Sequence, residues 1–159
     1  MSSKALGNLM RCSVLAAAVC GLFLCGYLIP SWGGELIGAN PELSAWFWPW
    51  LSFAWAFALP CFVILVLIWR VAGLVAREAV FTMQTAKLVK TGALLLLGDI
   101  AFLLFGNVVL LFLDMNHPGV ILIFGMGGIF AVALAVLAAV LSRYLAKAAV
   151  LQEESEATL

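Results

Sequence analysis

The sequence predicts an all-α integral membrane protein, a four-transmembrane-helix antiparallel bundle with both termini in the cytoplasm. Three observations carry that expectation. Of the 159 residues, 66% are hydrophobic and only 10% charged. A soluble domain carries about 25% charged residues, so this chain has too little polar surface to stay in water. The apolar residues gather into four runs, about 12–29, 45–69, 91–113 and 120–142, each near the roughly 20 residues that cross a hydrocarbon layer. If the runs cross in alternation, all eight Lys and Arg fall on one side, and Glu35, Glu42 and Asp114 on the other. Positive charge marks the cytoplasm, which places both termini and residues 70–90 on that side. Short connections favour an up-down-up-down arrangement, and the whole of 1–159 reads as one membrane domain.

Met1–Arg11 is a polar lead carrying Lys4 and Arg11, and Cys12–Ile29 follows without a charge. A positive lead and an apolar core also describe a signal peptide, but no small-x-small site precedes Pro30, so a retained first helix is expected. Pro30–Ser44 is rich in Gly and Pro and reads as a loop, with Ser44 placed to cap the second helix. That helix opens on Trp46, Trp48 and Trp50 and closes on Trp69; indoles at both ends suit headgroup depth. Pro60 in its middle removes one hydrogen bond and crowds the Ala56 carbonyl, which predicts a bend.

Residues 70–90 form a basic cytosolic connector, with Arg70, Arg77, Lys87 and Lys90 against the single acid Glu78. Val71–Val80 is expected to prolong the second helix. Thr82 is expected to cap the third helix, with Phe81 packing back on its first turns. Arg77, Lys87 and Lys90 are candidate partner-binding residues; a face held by anionic headgroups is the competing reading.

The third span holds the one ionisable residue deep in the membrane, Asp99. Gly92, Asp99 and Gly106 recur every seven residues and share a face on which another helix can come close. A buried carboxylate in lipid should face protein, so Asp99 and Asn107 form a candidate intramembrane polar site. It reads either as an ion or proton site or as an interhelical hydrogen bond that fixes register, with Asn107, Tyr27, Ser52 or a backbone carbonyl as partner. Asp114–Gly119 reads as a solvated turn. In the fourth span Gly128, Ala131, Ala135, Ala138 or Ala139, and Ser142 make a small-residue stripe, for tight helix packing or for a homodimer seam. The tail, 143–159, is expected to continue the helix to about Glu154 and then fray, because Glu153, Glu154 and Glu156 oppose the helix dipole. Glu153 and Glu154 join the candidate partner-binding set.

Cys12, Cys20, Cys25 and Cys61 all lie in or beside the apolar runs and form no CxxC pair, and His117 is the only histidine. No metal site, redox motif or cofactor is expected from them, and buried cysteine behaves as a small apolar residue. No phosphate loop, nucleophile elbow or HExxH is present, so no catalytic residue is assigned and no enzyme is expected. No basic domain points to direct nucleic-acid binding.

The segment AVFTMQTAKLVKTGALLLL and the tail AAVLQEESEATL resemble the bacterial membrane family known as domain of unknown function 2975. The resemblance rests on Phe81, Thr82, Lys87, Leu88, Lys90 and Gly92, and on Leu151, Gln152, Glu153, Glu154 and Thr158. Ser155 and Ala157 stand where members usually carry Asn and Leu. The resemblance implies four spans and no stated activity. It also implies an association with small cytosolic helix-turn-helix regulators, beside which members are often encoded. The expected function is therefore a non-enzymatic regulatory membrane protein that engages a cytosolic partner through the basic connector and acidic tail. The alternative is a small transporter or channel subunit acting as a homo-oligomer around Asp99.

Overall fold

The computed structural model of the chain describes residues 2–116 and 118–157. His117, Thr158 and the side chain of Glu156 lie outside the described residues. Helix α1, Ser3–Phe23, passes through a π-helical turn, Leu24–Leu28, into α2, Ile29–Ala39. A 3-10 turn, Pro41–Trp46, leads to α3, Phe47–Ala76, and then come α4, Met83–Phe112, and α5, Pro118–Ala157. Among the described residues four stretches are long and apolar enough to cross a membrane: Ser3–Ala39, Pro41–Ala76, Met83–Phe112 and Pro118–Ser155. Helix is the form that satisfies every backbone group where lipid offers no partner.

The expected loop 30–44 is helical as far as Ala39, and the first helical stretch therefore runs well past 12–29. Gly and Pro disfavour a helix by about 1 and 3 kcal/mol. Pairing the backbone in an apolar medium outweighs that cost, and the glycines add a close contact. A Cβ on Gly33 would lie 2.8 Å from the Phe47 ring, so only glycine lets α3 close here. Pro30 also accounts for the π turn. The Ile29 N–H reaches the Leu24 carbonyl and bypasses Cys25. Pro30, the next residue along that wider ladder, has no N–H to give. The Cys25 carbonyl instead accepts from the Trp55 indole of α3 at 3.0 Å.

Helix α3 runs through Pro60 and past Trp69, but it stops at Ala76 rather than Val80. Glu78 then turns left-handed, at φ 60°, and the Ala79 N–H returns to the Leu74 carbonyl at 3.0 Å. The end of α4 repeats the device. Asp114 has φ 57°, and the Met115 N–H reaches the Leu110 carbonyl at 2.9 Å. Both are helix stops of the kind that usually carry glycine. Thr82 caps α4 as expected, accepting from the Thr85 N–H at 3.3 Å. Phe81 does not staple the turn: it is 55% exposed, and the position it would pack on is Ala86, which offers only a methyl group. Helix α5 does not fray after Glu154 but continues to Ala157. Its Ala-rich end is a strong helix former, and Leu145 and Ala149 are buried against α4.

The helices stand in an open row. α1 and α2 pack on α3, α3 on α4, and α4 on α5. Among the described residues α1 touches neither α4 nor α5, so each span packs only on its neighbours in sequence. Lipid tails are as apolar as leucine, so close approach of backbones is what holds spans together. α1 meets α3 at Gly7, where a Cβ would lie 2.7 Å from the Ala76 methyl. α5 has one small-residue stripe, which is used against α4. The rest of its circumference carries exposed Leu122, Ile123, Ile129 and Phe130, whose natural neighbour is lipid.

Candidate functional site

The seven-residue face of α4 meets α3. Gly92 lies beside Leu67 and Gly106 lies under the Phe53 ring; that ring also packs on Phe102, centroids 5.1 Å apart. Between the two glycines Asp99 is only 4% exposed. Its Oδ2 accepts from the Cys61 thiol at 3.2 Å. None of the expected partners takes that place. Tyr27 stacks on Phe23 at 5.3 Å, Ser52 is exposed, and Asn107 is about 12 Å further along the helix at about 1.5 Å per residue. Cys61 is therefore a donor as well as a small apolar residue. A signal for it existed in the sequence: Cys61 is nine residues in from Arg70, and Asp99 nine residues in from Lys90, which puts them at one depth. The other carboxylate oxygen, Oδ1, is buried and has no hydrogen-bond partner.

Around Asp99 the two helices leave a groove of about 450 Å³, lined among others by Ala56, Pro60, Leu94, Gly98, Asp99 and Phe102. Leu94, Gly98 and Phe102 are exposed, so the groove opens on the outer surface of the row, with Asp99 at its floor. Pro60 has no N–H, so the Ala56 carbonyl lacks its helical donor.

Asn107 is also buried, and it belongs to a different group. Its Nδ2 donates to the Leu103 carbonyl at 2.8 Å, and its Oδ1 accepts from Asn116 Nδ2 at 2.7 Å. This pair ties the turn after α4 back onto the helix, so the turn is not wholly solvated. Asp99 and Asn107 are thus not brought together. Asn116 went unnoticed in the sequence because an Asn in a turn is ordinary and its partner lies nine residues away.

The α5 stripe faces α4. Gly128 lies opposite Ile100 and Leu104, Ala131 is half-buried and Ala135 is fully buried, and Ser142 Oγ donates to the Ala86 carbonyl at 3.0 Å. The stripe thus packs on α4 within the chain.

At the end of the row where α4 begins, the connector and the tail meet. Lys87 and Lys90 are exposed on α4, and Glu153 and Glu154 are exposed on α5. A second groove, of about 430 Å³, runs between the helices and is lined by Met83, Ala146, Lys147, Val150, Leu151 and Glu154. The Lys147 ammonium rests 5.9 Å from the Tyr144 ring centre. Arg77 stands apart at the end of α3, a helix that makes no contact with α5 among the described residues. Beside the groove, Thr82 and Thr85 knot the connector. Their hydroxyls lie 3.0 Å apart, and each donates to the Ala79 carbonyl at 3.3 Å. The Phe-Thr pair noted in the sequence therefore has a structural role through its threonine.

Four membrane-length apolar helices, with a polar pair and an aspartate buried between them, define a multi-pass membrane protein. The chain belongs to the family described as protein of unknown function (DUF2975), whose model matches residues 33–159. The match begins within α2 and takes in all of α3, α4 and the described part of α5. No curated protein and no solved structure matches the chain.

Proposed function

We propose that this is a non-enzymatic regulatory protein of the bacterial inner membrane, its four spans antiparallel and both termini cytoplasmic. It engages a cytosolic partner on the surface shared by the start of α4 and the end of α5. One observation supports this reading above the others. Leu151 is 65% exposed and lies about 12 Å beyond Arg143 at about 1.5 Å per residue. In the span an exposed leucine faces lipid; this far past Arg143, the first basic residue after the fourth apolar run, it faces headgroups or water, where its exposure is unfavourable. Met83, Val150 and Leu151, with Lys147 and Glu154 at the rim, suit the apolar face of an amphipathic helix. A small helix-turn-helix regulator is the partner class that the family resemblance points to.

In-cell crosslinking and pull-down tests the proposal, comparing the intact protein with a chain ended after Lys147. A helix-turn-helix protein recovered with the intact chain and lost on truncation is the expected result. Self-crosslinks alone in both versions would overturn it. The second reading, a transporter or channel subunit, draws its support from the unpartnered oxygen of Asp99. On that reading Asp99→Asn abolishes an ion or solute flux in proteoliposomes, and unchanged flux rejects it.

A further inference from the structure

We propose that the groove between α3 and α4 is a binding site for a lipophilic amine, entering from the bilayer and pairing its ammonium group with Asp99. The proposal depends on neither reading above.

Four features converge on it. The groove's volume, about 450 Å³, is in the range of small-molecule sites, roughly 300–1,000 Å³. Its walls are apolar: Leu94 and Phe102 on α4, with Ala56 and Pro60 on α3. Its mouth is formed by exposed residues of two membrane-length helices, so access is lateral, from lipid. Its floor holds a carboxylate that is 4% exposed, with Oδ2 bonded to the Cys61 thiol and Oδ1 without a partner. Leaving an acceptor of this kind unpaired in an apolar site is costly. A donor supplied by a ligand removes that cost.

The chemistry of the donor follows. A metal cation needs six or so oxygen ligands for calcium or magnesium, and the groove's side chains offer one carboxylate and, at the far end, the hydroxyl of Thr91. An alkylammonium group needs far fewer acceptors. Asp99 Oδ1 has no partner, and Ala56, whose carbonyl lacks its helical donor, is among the lining residues. An ammonium–carboxylate pair is also neutral as a unit, which eases its burial in lipid relative to either charge alone. Gly98 keeps the space open, because nothing lies within 4 Å of where its Cβ would stand.

The test uses the full chain in proteoliposomes and three photoreactive probes of one chain length. Each carries a diazirine in the alkyl chain, and they end in an amine, an alcohol or a carboxylate. The amine should label α4 between Leu94 and Phe102 saturably, and excess unlabelled alkyl amine should displace it. Asp99→Asn should lower that labelling about tenfold, the equivalent of about 1.4 kcal/mol. Gly98→Leu fills the groove without removing the carboxylate and should do the same, which guards against a folding defect in the first variant. Equal labelling by amine and alcohol would overturn the proposal, as would labelling unchanged in both variants. Labelling spread evenly over lipid-facing residues such as Phe105 and Phe112 would also overturn it.

Discussion

Two acidic residues occupy backbone positions that suit glycine. Glu78 and Asp114 have φ of 60° and 57°, a region that disfavours a side chain by roughly 1–2 kcal/mol. Replacing Glu78 by Gly should raise unfolding stability in detergent by up to about 1 kcal/mol, read from denaturant titration; a loss of stability would mean that the carboxylate has a role of its own. Gly7 is the opposite case. A Cβ there would lie 2.8 Å from the Ala72 carbonyl, an atom of a helix backbone that cannot move aside. Gly7→Val should destabilise by about 1–3 kcal/mol, whereas Gly127→Ala, with nothing within 4 Å, should be neutral or slightly stabilising. Trp55→Phe removes the donor to the Cys25 carbonyl and should cost about 1–3 kcal/mol, by the same titration. These contacts were only partly legible in the sequence. The glycine face of α4 could be read from spacing, since three positions seven apart must share a side. The Trp55 bond could not, because it depends on a π turn that exists only once Pro30 is helical.

At the scale of elements, the lengths of the helices separate what the sequence shows from what it hides. Hydropathy finds the apolar centre of each helix, because lipid selects for it. It says little about the ends, where Gly, Pro and charge follow rules learned from water. Hence 30–44 read as a loop although it is helical to Ala39, and the chain after Glu154 read as frayed although α5 continues to Ala157. The Thr82 cap was legible because its signal is local, a Thr three residues before its target amide. Thr82→Ala should cost about 1 kcal/mol and Thr82→Ser much less, measured as the midpoint of thermal unfolding. Equal loss in both would show that the methyl group, and not the hydroxyl, matters. Ser142→Ala strips the buried bond to Ala86 and should cost about 0.5–1.5 kcal/mol, loosening the end of α5 where the proposed partner surface lies. Faster amide exchange from Arg143 onward would register that loosening; exchange unchanged there would place the grip on α5 elsewhere.

For the whole molecule, each span packs on its neighbours in sequence, and among the described residues α1 makes no contact with α5. The count of spans was visible in the sequence, but closure was not, since apolar side chains that face lipid and those that face another helix look alike in composition. The second groove sits where the row leaves the apolar zone, and the proposed function depends on something other than lipid covering it. A photoreactive amino acid placed at Leu151 in living cells tests that most directly, with Phe130 in the lipid-facing part of α5 as reference. The account predicts an adduct between Leu151 and a small helix-turn-helix protein, identified by mass spectrometry, and none from Phe130. Adducts only to lipid or to a second copy of the chain, at both positions, would contradict it.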